Sequence, residues 1–217
     1  MFAIKNSRRK TQSESVGETI SFVRLPEPAY SGELSIEEVL LKRRSARSYK
    51  DEPLRLKEIS QLLWAAQGIT DNESKRTAPS AGAIYPLEIY LASSNVEGLS
   101  PGIYHYDPVD HSLLRIGDGD KRKQLSSAAL MQSSVRHCAA VLIFAADYRH
   151  VISKYFAKGK RFVYMEAGHA AQNVFLQAVP LHIGTVTIGA FLDGAVKKIL
   201  HLPRNEETLY LMPIGRI

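Results

Sequence analysis

The chain has a single cysteine, Cys138, a single tryptophan and no long apolar run among its 217 residues. One cysteine cannot form an internal disulfide, which fits a reducing compartment, so we expect a cytoplasmic protein. A membrane-spanning helix needs about 20 consecutive apolar residues, and we therefore expect no membrane partner. No group of His, Cys or acidic residues has the spacing of a zinc site, so we predict no metal.

The composition indicates a globular protein with a sizeable core, because 45% of the residues are hydrophobic and the mean hydropathy is -0.15. The net charge is +6, from 28 basic and 22 acidic residues. Such a balance suits nucleic acid, an anionic membrane or a phosphorylated ligand. The basic residues do not form a stripe with interleaved aromatic residues, so a nucleic-acid partner ranks last and is not expected.

The first thirty residues differ from the rest of the chain because they are polar and basic. Ser7-Arg-Arg-Lys10 resembles the start of a twin-arginine signal, but no apolar stretch follows it. We predict a flexible basic arm at residues 1–30 and a single domain at residues 31–217, since this length is enough for one large domain.

The pattern of apolar residues predicts an α+β fold with a central, mostly antiparallel sheet flanked by helices. Ser35-Ile-Glu-Glu38 is a capping box that begins the first helix. The continuously apolar stretch 139–146 is typical of a strand covered on both faces. We predict helices at residues 36–42, 56–67, 121–131, 162–179 and 193–200, and strands at residues 87–91, 102–106, 112–116, 139–146, 181–191 and 208–212.

The helix at residues 162–179 is the centre of the predicted fold. Apolar residues surround most of its circumference, which is typical of a buried helix. Small residues at 167, 168, 170 and 171 allow another backbone to come close, and Pro180 ends the helix. We predict either a helix shared with a partner subunit or an ordinary core helix.

Two segments are candidates for ligand binding. Residues 42–47, here called the basic segment, place Arg43, Arg44 and Arg47 around Ser45 just after the first helix. Arginine forks and a hydroxyl suit a phosphate, although a solvated basic patch has the same composition. Residues 76–86, the small-residue loop, are bounded by prolines and suit close approach of backbone to a ligand.

Taken together, five motifs resemble the nitroreductase superfamily of FMN enzymes and are most similar to its SagB-type dehydrogenase branch, which includes azoline oxidases. The resemblance covers residues 35–217. It rests on Arg43-Arg-Ser-Ala-Arg47, Ala78-Pro-Ser-Ala-Gly-Ala-Ile-Tyr-Pro86, Glu166-Ala-Gly-His-Ala-Ala-Gln-Asn173, Ile188-Gly-Ala-Phe191 and Pro213-Ile-Gly-Arg216.

The resemblance implies a homodimer with the long central helix at its interface and two FMN sites, each built from both chains. Arg43, Ser45, Arg47 and Arg216 would hold the ribityl and phosphate end of FMN, with Arg44 contributing mainly backbone. The partner subunit would lay part of its small-residue loop against the flavin, namely Pro79, Ser80, Ala81 and Gly82. The segment passing near flavin N5 would be Ile188, Gly189 and Ala190.

The resemblance also implies a catalytic pair, Lys154 and Tyr155, just before the central helix. In the azoline-oxidising branch this pair would remove a proton as hydride leaves for N5, a role that requires a lysine with a lowered pKa. The alternative is that Lys154 is a solvated loop residue and Tyr155 packs on the surface.

Three functions remain open from the sequence. The first is an FMN-dependent dehydrogenase that transfers hydride between a small-molecule or modified-peptide substrate and flavin N5, as in the oxidation of an azoline to an azole. The second is a nitro or quinone reductase that takes electrons from NAD(P)H. The third is a flavin-binding subunit without turnover of its own. The flavin carries the chemistry in the first two, and the protein orients and tunes it.

Overall fold

The structure is a computed structural model that describes residues 21–217. Its centre is a seven-stranded sheet with the strand order β1-β6-β5-β3-β7-β9-β8, in which every neighbouring pair is antiparallel. A separate parallel pair joins β2 and β4. The strands are β1 (Phe22–Arg24), β2 (Leu54–Arg55), β3 (Leu87–Ser93), β4 (Val96–Glu97), β5 (Gly102–Asp107), β6 (Ser112–Asp118), β7 (Ala140–Asp147), β8 (Ile183–Thr185) and β9 (Glu206–Arg216).

Helices cover both faces of the sheet, and each face has its own apolar core. The α2 and α6 helices pack together on one face, and α3 and α7 pack together on the other. The helices are α1 (Ile36–Lys42), α2 (Leu56–Gln67), α3 (Arg122–Ala128), α4 (Ser133–Arg136), α5 (Arg149–Tyr155), α6 (Gly159–Ala178) and α7 (Asp193–Ile199). The α+β prediction with a mostly antiparallel sheet flanked by helices is confirmed.

The strand β7 shows why the middle of the sheet reads as a continuous apolar run. Leu142 and Phe144 belong to the core beneath α6, whereas Val141 and Ile143 belong to the core on the opposite face. Successive side chains of a strand point to opposite faces, so a strand with a core on each side has no polar position. The prediction that this strand is covered on both faces is confirmed.

The predicted start of the α1 helix is also confirmed. The Glu38 amide donates to Ser35 Oγ at 3.2 Å, and the Ser35 amide donates to Glu38 Oε2 at 3.1 Å. This reciprocal pair satisfies two amides that the first turn of a helix leaves free. The helix runs from this cap to Lys42, where the basic segment begins.

The folded domain includes residues that the sequence assigned to the arm. Residues 22–24 pair with residues 112–114 of β6, and Leu25 is buried in the core. Short strands of this kind give little signal in the sequence, because their pairing with a distant strand decides them. The remainder of the predicted arm, residues 1–20, lies outside the described residues.

Two predicted elements have different bounds. The helix predicted at 121–131 divides into α3 and α4, because Leu130 and Met131 adopt positive φ angles of 55° and 62°. The strand predicted at 181–191 is confined to β8, and beyond it only Ile188 makes an isolated bridge, with Leu211. Residues 186–190, here called the edge segment, therefore follow the sheet edge without forming a continuous ladder.

The α6 helix is not buried all round. One stripe of its surface, here called the open face, consists of Tyr164, Met165, Gly168, His169 and Gln172, all exposed in the described chain. These residues recur at helical spacing on one side. The prediction of burial on every side is wrong for a single chain, whereas the prediction that a partner shares this helix stays a prediction.

Within residues 21–217, no helix combines the length and apolar character needed to cross a membrane. The same residues contain no cluster of three or more His, Cys, Asp or Glu side chains able to hold a metal ion. Cys138 is buried, and burial raises the pKa of its thiol to about 12, which makes the thiol unreactive near neutral pH.

Candidate active site

The basic segment lies beside the edge strand of the sheet. The Ala46 amide donates to the Thr185 carbonyl of β8 at 2.9 Å, and this bond fixes the segment along the otherwise free edge. The Arg43 guanidinium stacks 5.2 Å from the centre of the Phe175 ring on α6. The segment is thus held between β8 and the C-terminal half of α6.

The side chains of the basic segment divide into two groups. The Arg44 guanidinium turns back and donates to the Leu41 and Arg43 carbonyls at 2.9 and 2.7 Å, so it caps the end of α1. The role of Arg44 through its backbone at the FMN site stays a prediction. Arg43 and Arg47 form no ion pair with any described residue, and both remain available to an anion.

The chemistry of this edge fits the phosphate end of FMN. Two arginines and the exposed hydroxyl of Ser45 provide donors, and arginine binds phosphate through paired N–H groups. In addition, the buried Thr185 Oγ1 has no hydrogen-bond partner among the described residues. A buried hydroxyl without a partner is rare in folded proteins, and here it lies directly beside the basic segment.

Arg216 is engaged elsewhere. Its guanidinium donates to both carboxylate oxygens of Glu58 at 3.1 and 2.8 Å and to the Leu181 carbonyl at 2.9 Å. Glu58 is buried, which favours its neutral form, but hydrogen bonds from Arg55 and Arg216 outweigh burial and hold its pKa below the ordinary value. The prediction that Arg216 adds charge at the phosphate stays a prediction, and in this structure the arginine neutralises Glu58.

Glycine permits the basic segment to approach the sheet closely. A Cβ at Gly184 would lie 2.7 Å from the Ala46 Cβ and closer still to Ile217 Cγ2. A Cβ at Gly215 would lie 2.7 Å from Tyr49 Cβ. Both distances are shorter than van der Waals contact, so the segment would have to move if either glycine carried a side chain.

We expect Gly184→Ala to weaken FMN binding without unfolding the protein. The added methyl group pushes Ala46 outward and displaces the flanking arginines, and the loss of one charge-assisted hydrogen bond corresponds to an affinity lower by about tenfold. Titration of the apoprotein with FMN, followed by flavin fluorescence, measures this loss. Gly32→Ala is the matched control, because a Cβ there meets nothing within 4 Å. Equal FMN affinities for the two variants would contradict the prediction.

The small-residue loop makes a tight turn at its tip. Residues 81–83 form a single 3-10 turn in which Gly82 has a φ of 63°. The Tyr85 amide donates to Ser80 Oγ at 2.9 Å and closes the turn. Pro79 and Gly82 are exposed and Ser80 and Ala81 are half-buried, so the tip presents small residues to the outside.

Lys154 and Tyr155 lie against this tip. The Lys154 Nζ donates to the Gly82 carbonyl at 3.5 Å, a long bond. A Cβ at Gly82 would lie 2.5 Å from both the Lys154 Nζ and the Tyr155 Oη, so the ends of these two side chains lie directly against the glycine, and its φ of 63° disfavours any other residue there. The Tyr155 ring packs edge-on against Phe162 at a centroid distance of 5.1 Å, which fixes it on the start of α6. The structure therefore brings the predicted catalytic pair and the predicted flavin-facing loop together.

The edge segment continues from the basic segment along the same sheet edge. Ile188 is buried and exchanges two backbone hydrogen bonds with Leu211, at 2.8 and 3.0 Å. Gly189 and Ala190 are exposed beyond it. The phosphate candidates near Thr185 and the predicted N5 segment thus follow one another along one edge.

The α6 helix separates these two halves of the predicted site. Tyr155 contacts Phe162 and Arg43 contacts Phe175, and these two phenylalanines lie about 20 Å apart along the helix and about 140° apart around it. The open face of α6 lies between them. In one chain, therefore, Lys154 and Tyr155 do not contact the basic segment.

Sequence reasoning missed Glu166, a carboxyl on α6 beneath the small-residue loop. It is only 3% exposed, and its Oε1 has no hydrogen-bond partner among the described residues. Burial raises the pKa of Glu166 to about 7, although a hydrogen bond with Ser80 and the charge of Arg76 oppose the rise. The available signal was an acidic residue on an otherwise apolar helix face.

The fold places cationic side chains at the sheet edge on one side of α6 and the small-residue loop with Lys154 and Tyr155 on the other. The sequence model of the Nitroreductase family matches residues 40–216, and the chain belongs to this family of oxidoreductases. A provisionally named nitroreductase of Methanocaldococcus jannaschii is 47% identical over 184 residues, which are 85% of this chain and 92% of that protein.

Other relatives are more distant. The microcin B17-processing protein McbC of Escherichia coli is 29% identical over 70% of this chain and 58% of its own length. An NADPH-flavin oxidoreductase of Vibrio harveyi is 32% identical over 48% of this chain and 47% of its own length. Among solved structures, a nitroreductase-family protein of Ralstonia eutropha superposes with a TM-score of 0.79 at 27% identity, over 93% of this chain and 91% of that one.

Proposed function

We propose that the protein is an FMN-dependent dehydrogenase of the SagB type that works as a homodimer in the cytoplasm. The observation that carries the proposal is the packing of Lys154 and Tyr155 against Gly82, because it joins the predicted catalytic pair to the predicted flavin-facing loop. Arg43, Ser45 and Arg47 would hold the phosphate of FMN, and Gly189 and Ala190 would leave room for its ring.

The proposed dimer packs through the open face of α6. A partner helix that covers Met165, Gly168 and Gln172 would do so about a two-fold axis, as most homodimers do. The small-residue loop borders this face on one side and the edge strand borders it on the other. Two-fold symmetry would therefore bring the loop of one chain to the sheet edge of its partner.

Each proposed site then combines one chain's phosphate donors with the partner's catalytic pair. FMN, when bound, supplies the atom that takes up hydride from the substrate. Lys154 and Tyr155 would remove a proton from the ring carbon next to the nitrogen, as hydride leaves the neighbouring carbon, and would hold the substrate at the loop tip. Their fixed positions on the start of α6 and against Gly82 would provide the orientation that this proton transfer requires.

The substrate class that we propose is a nitrogen-containing ring, such as an azoline, in a small molecule or a modified peptide. The likeness to McbC supports it, as does the presence of the Lys-Tyr pair at the loop tip. A peptide substrate would require a partner that presents it.

A second candidate is an NAD(P)H-dependent reductase of nitro or quinone compounds. The Vibrio harveyi relative supports it, and so do the exposed Pro79 and Gly82 at the loop tip, which leave space for a nicotinamide ring. A flavin-binding subunit without turnover is the third candidate, and it shares the same phosphate donors.

A visible absorption spectrum of the purified full-length protein tests these proposals. We expect a flavin spectrum after incubation with FMN and no bleaching when NADPH is added without oxygen. Rapid bleaching by NADPH would favour the reductase. Absence of bound flavin would contradict every FMN-based function proposed here.

A further inference from the structure

A cavity of about 390 Å³ lies at the exposed start of β9, bordered by α6, α7 and the end of the edge segment. Aromatic rings form much of its wall, and Gly189 of the edge segment forms one side. The volume is in the range that small-molecule pockets occupy. The aromatic lining residues are Tyr148, Tyr164, Phe191 and Tyr210.

The charged groups of this cavity are mainly acidic, although the chain as a whole is basic. Asp193, Glu206 and Glu207 line it, and Lys197 is the lining residue with a positive charge. The Lys197 Nζ already donates to the Arg204 and Glu206 carbonyls at 2.8 and 2.9 Å. Its donors are thus engaged, and the cavity offers a net negative charge to a ligand.

Two buried hydroxyls in the wall have no hydrogen-bond partner among the described residues. They belong to Tyr148, which is 5% exposed, and Thr208, which is 8% exposed. A buried hydroxyl without a partner costs about 1–3 kcal/mol. Both residues line the cavity, so polar groups without a protein partner lie directly behind its wall.

Glu206 is a buried carboxyl at the edge of this cavity. It is 7% exposed and accepts a hydrogen bond of 2.6 Å from the Tyr90 hydroxyl. Burial raises its pKa, and the negative charges of Glu88 and Asp147 raise it further, against the hydrogen bond from Tyr90 and the charge of His105. A positive charge in the cavity would stabilise the ionised form.

The aromatic wall is suited to a cation. The Lys160 Nζ already lies 5.3 Å from the centre of the Tyr148 ring, so this ring accepts a positive charge on one of its faces. Cations are attracted to the faces of aromatic rings, and more strongly where water is excluded. The combination of rings, carboxylates and free hydroxyls selects for a positive group on a flat apolar body.

We infer that this cavity binds a small organic cation, a primary amine or amidinium attached to an aromatic or similarly flat body. Binding as such does not depend on the proposed reaction, and because Tyr164 also belongs to the open face, the partner chain of the proposed dimer would lie beside this cavity. The role of the cavity in the reaction does rest on that function. Gly189 would place the bound cation beside the flavin, and the cation would then be the charged part of the substrate.

Binding of benzylamine, compared with benzyl alcohol and benzoate, tests the inference by calorimetry on the full-length, FMN-loaded protein. We expect benzylamine to bind at least about tenfold more tightly than benzyl alcohol, and more weakly as salt is raised. Benzoate should not bind. Equal affinities for the amine and the alcohol would overturn the inference.

Surface variants make the test specific to this cavity. Glu207→Gln and Asp193→Asn alter exposed carboxylates, so both proteins should fold, and each should lower benzylamine affinity several-fold. Glu37→Gln, an exposed carboxylate on α1, is the control and should have no effect. Equal losses of benzylamine affinity in all three variants would show an effect of overall charge only and would overturn the inference.

Competition between FMN and benzylamine for the apoprotein completes the test. If FMN displaces benzylamine from the apoprotein one for one, the cavity is part of the flavin site, and the inference of a separate cation site is wrong. If benzylamine binds but the protein takes up no flavin, the cation site stands while the proposed dehydrogenase function fails. The two proposals can therefore fail independently.

Discussion

Lys154→Ala and Tyr155→Phe should each lose at least about 100-fold in turnover, the lower end of what a positioned acid or base contributes. Both variants should keep bound FMN, because the phosphate donors lie on the other side of α6. Phenylthiazoline, a small azoline oxidised in air with oxygen as the final acceptor, is a suitable probe, and chromatography of the thiazole product gives the rate.

Ser153→Ala is the matched control for these variants. Ser153 is exposed and precedes Lys154 in the same helix, and it forms no side-chain hydrogen bond with the small-residue loop among the described residues. We expect this variant to have the wild-type rate. Full activity in both the Lys154 and the Tyr155 variants would remove the catalytic pair from the proposal, whatever the flavin content.

Lys154→Ala combined with a phosphate-donor variant tests whether the site is shared between chains. Arg47→Ala should also be inactive at limiting FMN, because it removes a phosphate donor. In a mixed dimer of Lys154→Ala and Arg47→Ala subunits, one of the two sites would combine an intact Arg47 with an intact Lys154. Random mixing should therefore restore about a quarter of the wild-type activity.

The geometry on the two sides of α6 is the reason for this expectation. Phe162, which contacts Tyr155, and Phe175, which stacks on Arg43, lie about 20 Å apart along α6 and on different sides of it. The ribityl chain of FMN cannot span that distance around a helix. If mixed dimers stay inactive while the subunits are shown to exchange, both halves of the site belong to one chain and the dimer geometry is wrong.

Local patterns predicted those parts of the fold that local energetics decide. The capping box at Ser35 and the apolar run of β7 were correct because the first depends on four residues and the second on burial of one strand. The split at Leu130 and the short β8 were not predicted. The split at Leu130 comes from two successive residues with positive φ, which no residue type there announces, and the length of β8 is set by its pairing with the distant residues 214–216 of β9.

In the candidate site, too, the features encoded by adjacent residues were predicted and the long-range contacts were not. The basic segment was recognisable because its donors are adjacent in sequence. The contact between Lys154 and Gly82 joins residues 72 positions apart, and no local pattern carries it. The acidic residue on an apolar helix face was the sequence signal for Glu166, but its burial and the position of Ser80 beside it appear only in the packed structure.

Glu166→Gln should stabilise the protein at neutral and alkaline pH and have little effect in acid. The ordinary pKa of glutamate is 4.5, and the folded protein raises that of Glu166 to about 7. Between these values the native state holds more protons than the unfolded state, so wild-type stability falls as pH rises. The rise in pKa corresponds to roughly 3 kcal/mol of destabilisation above pH 7.

Urea unfolding of wild type and Glu166→Gln from pH 4.5 to pH 8 measures this difference. Glutamine is neutral at every pH, so the gap between the two stability curves should open across this window and become constant above it. All other titrating groups are common to both proteins and cancel. Parallel stability curves would mean that Glu166 is ionised throughout this pH range. Its charge would then be balanced by Arg76 and Ser80, and the carboxylate would hold the small-residue loop electrostatically.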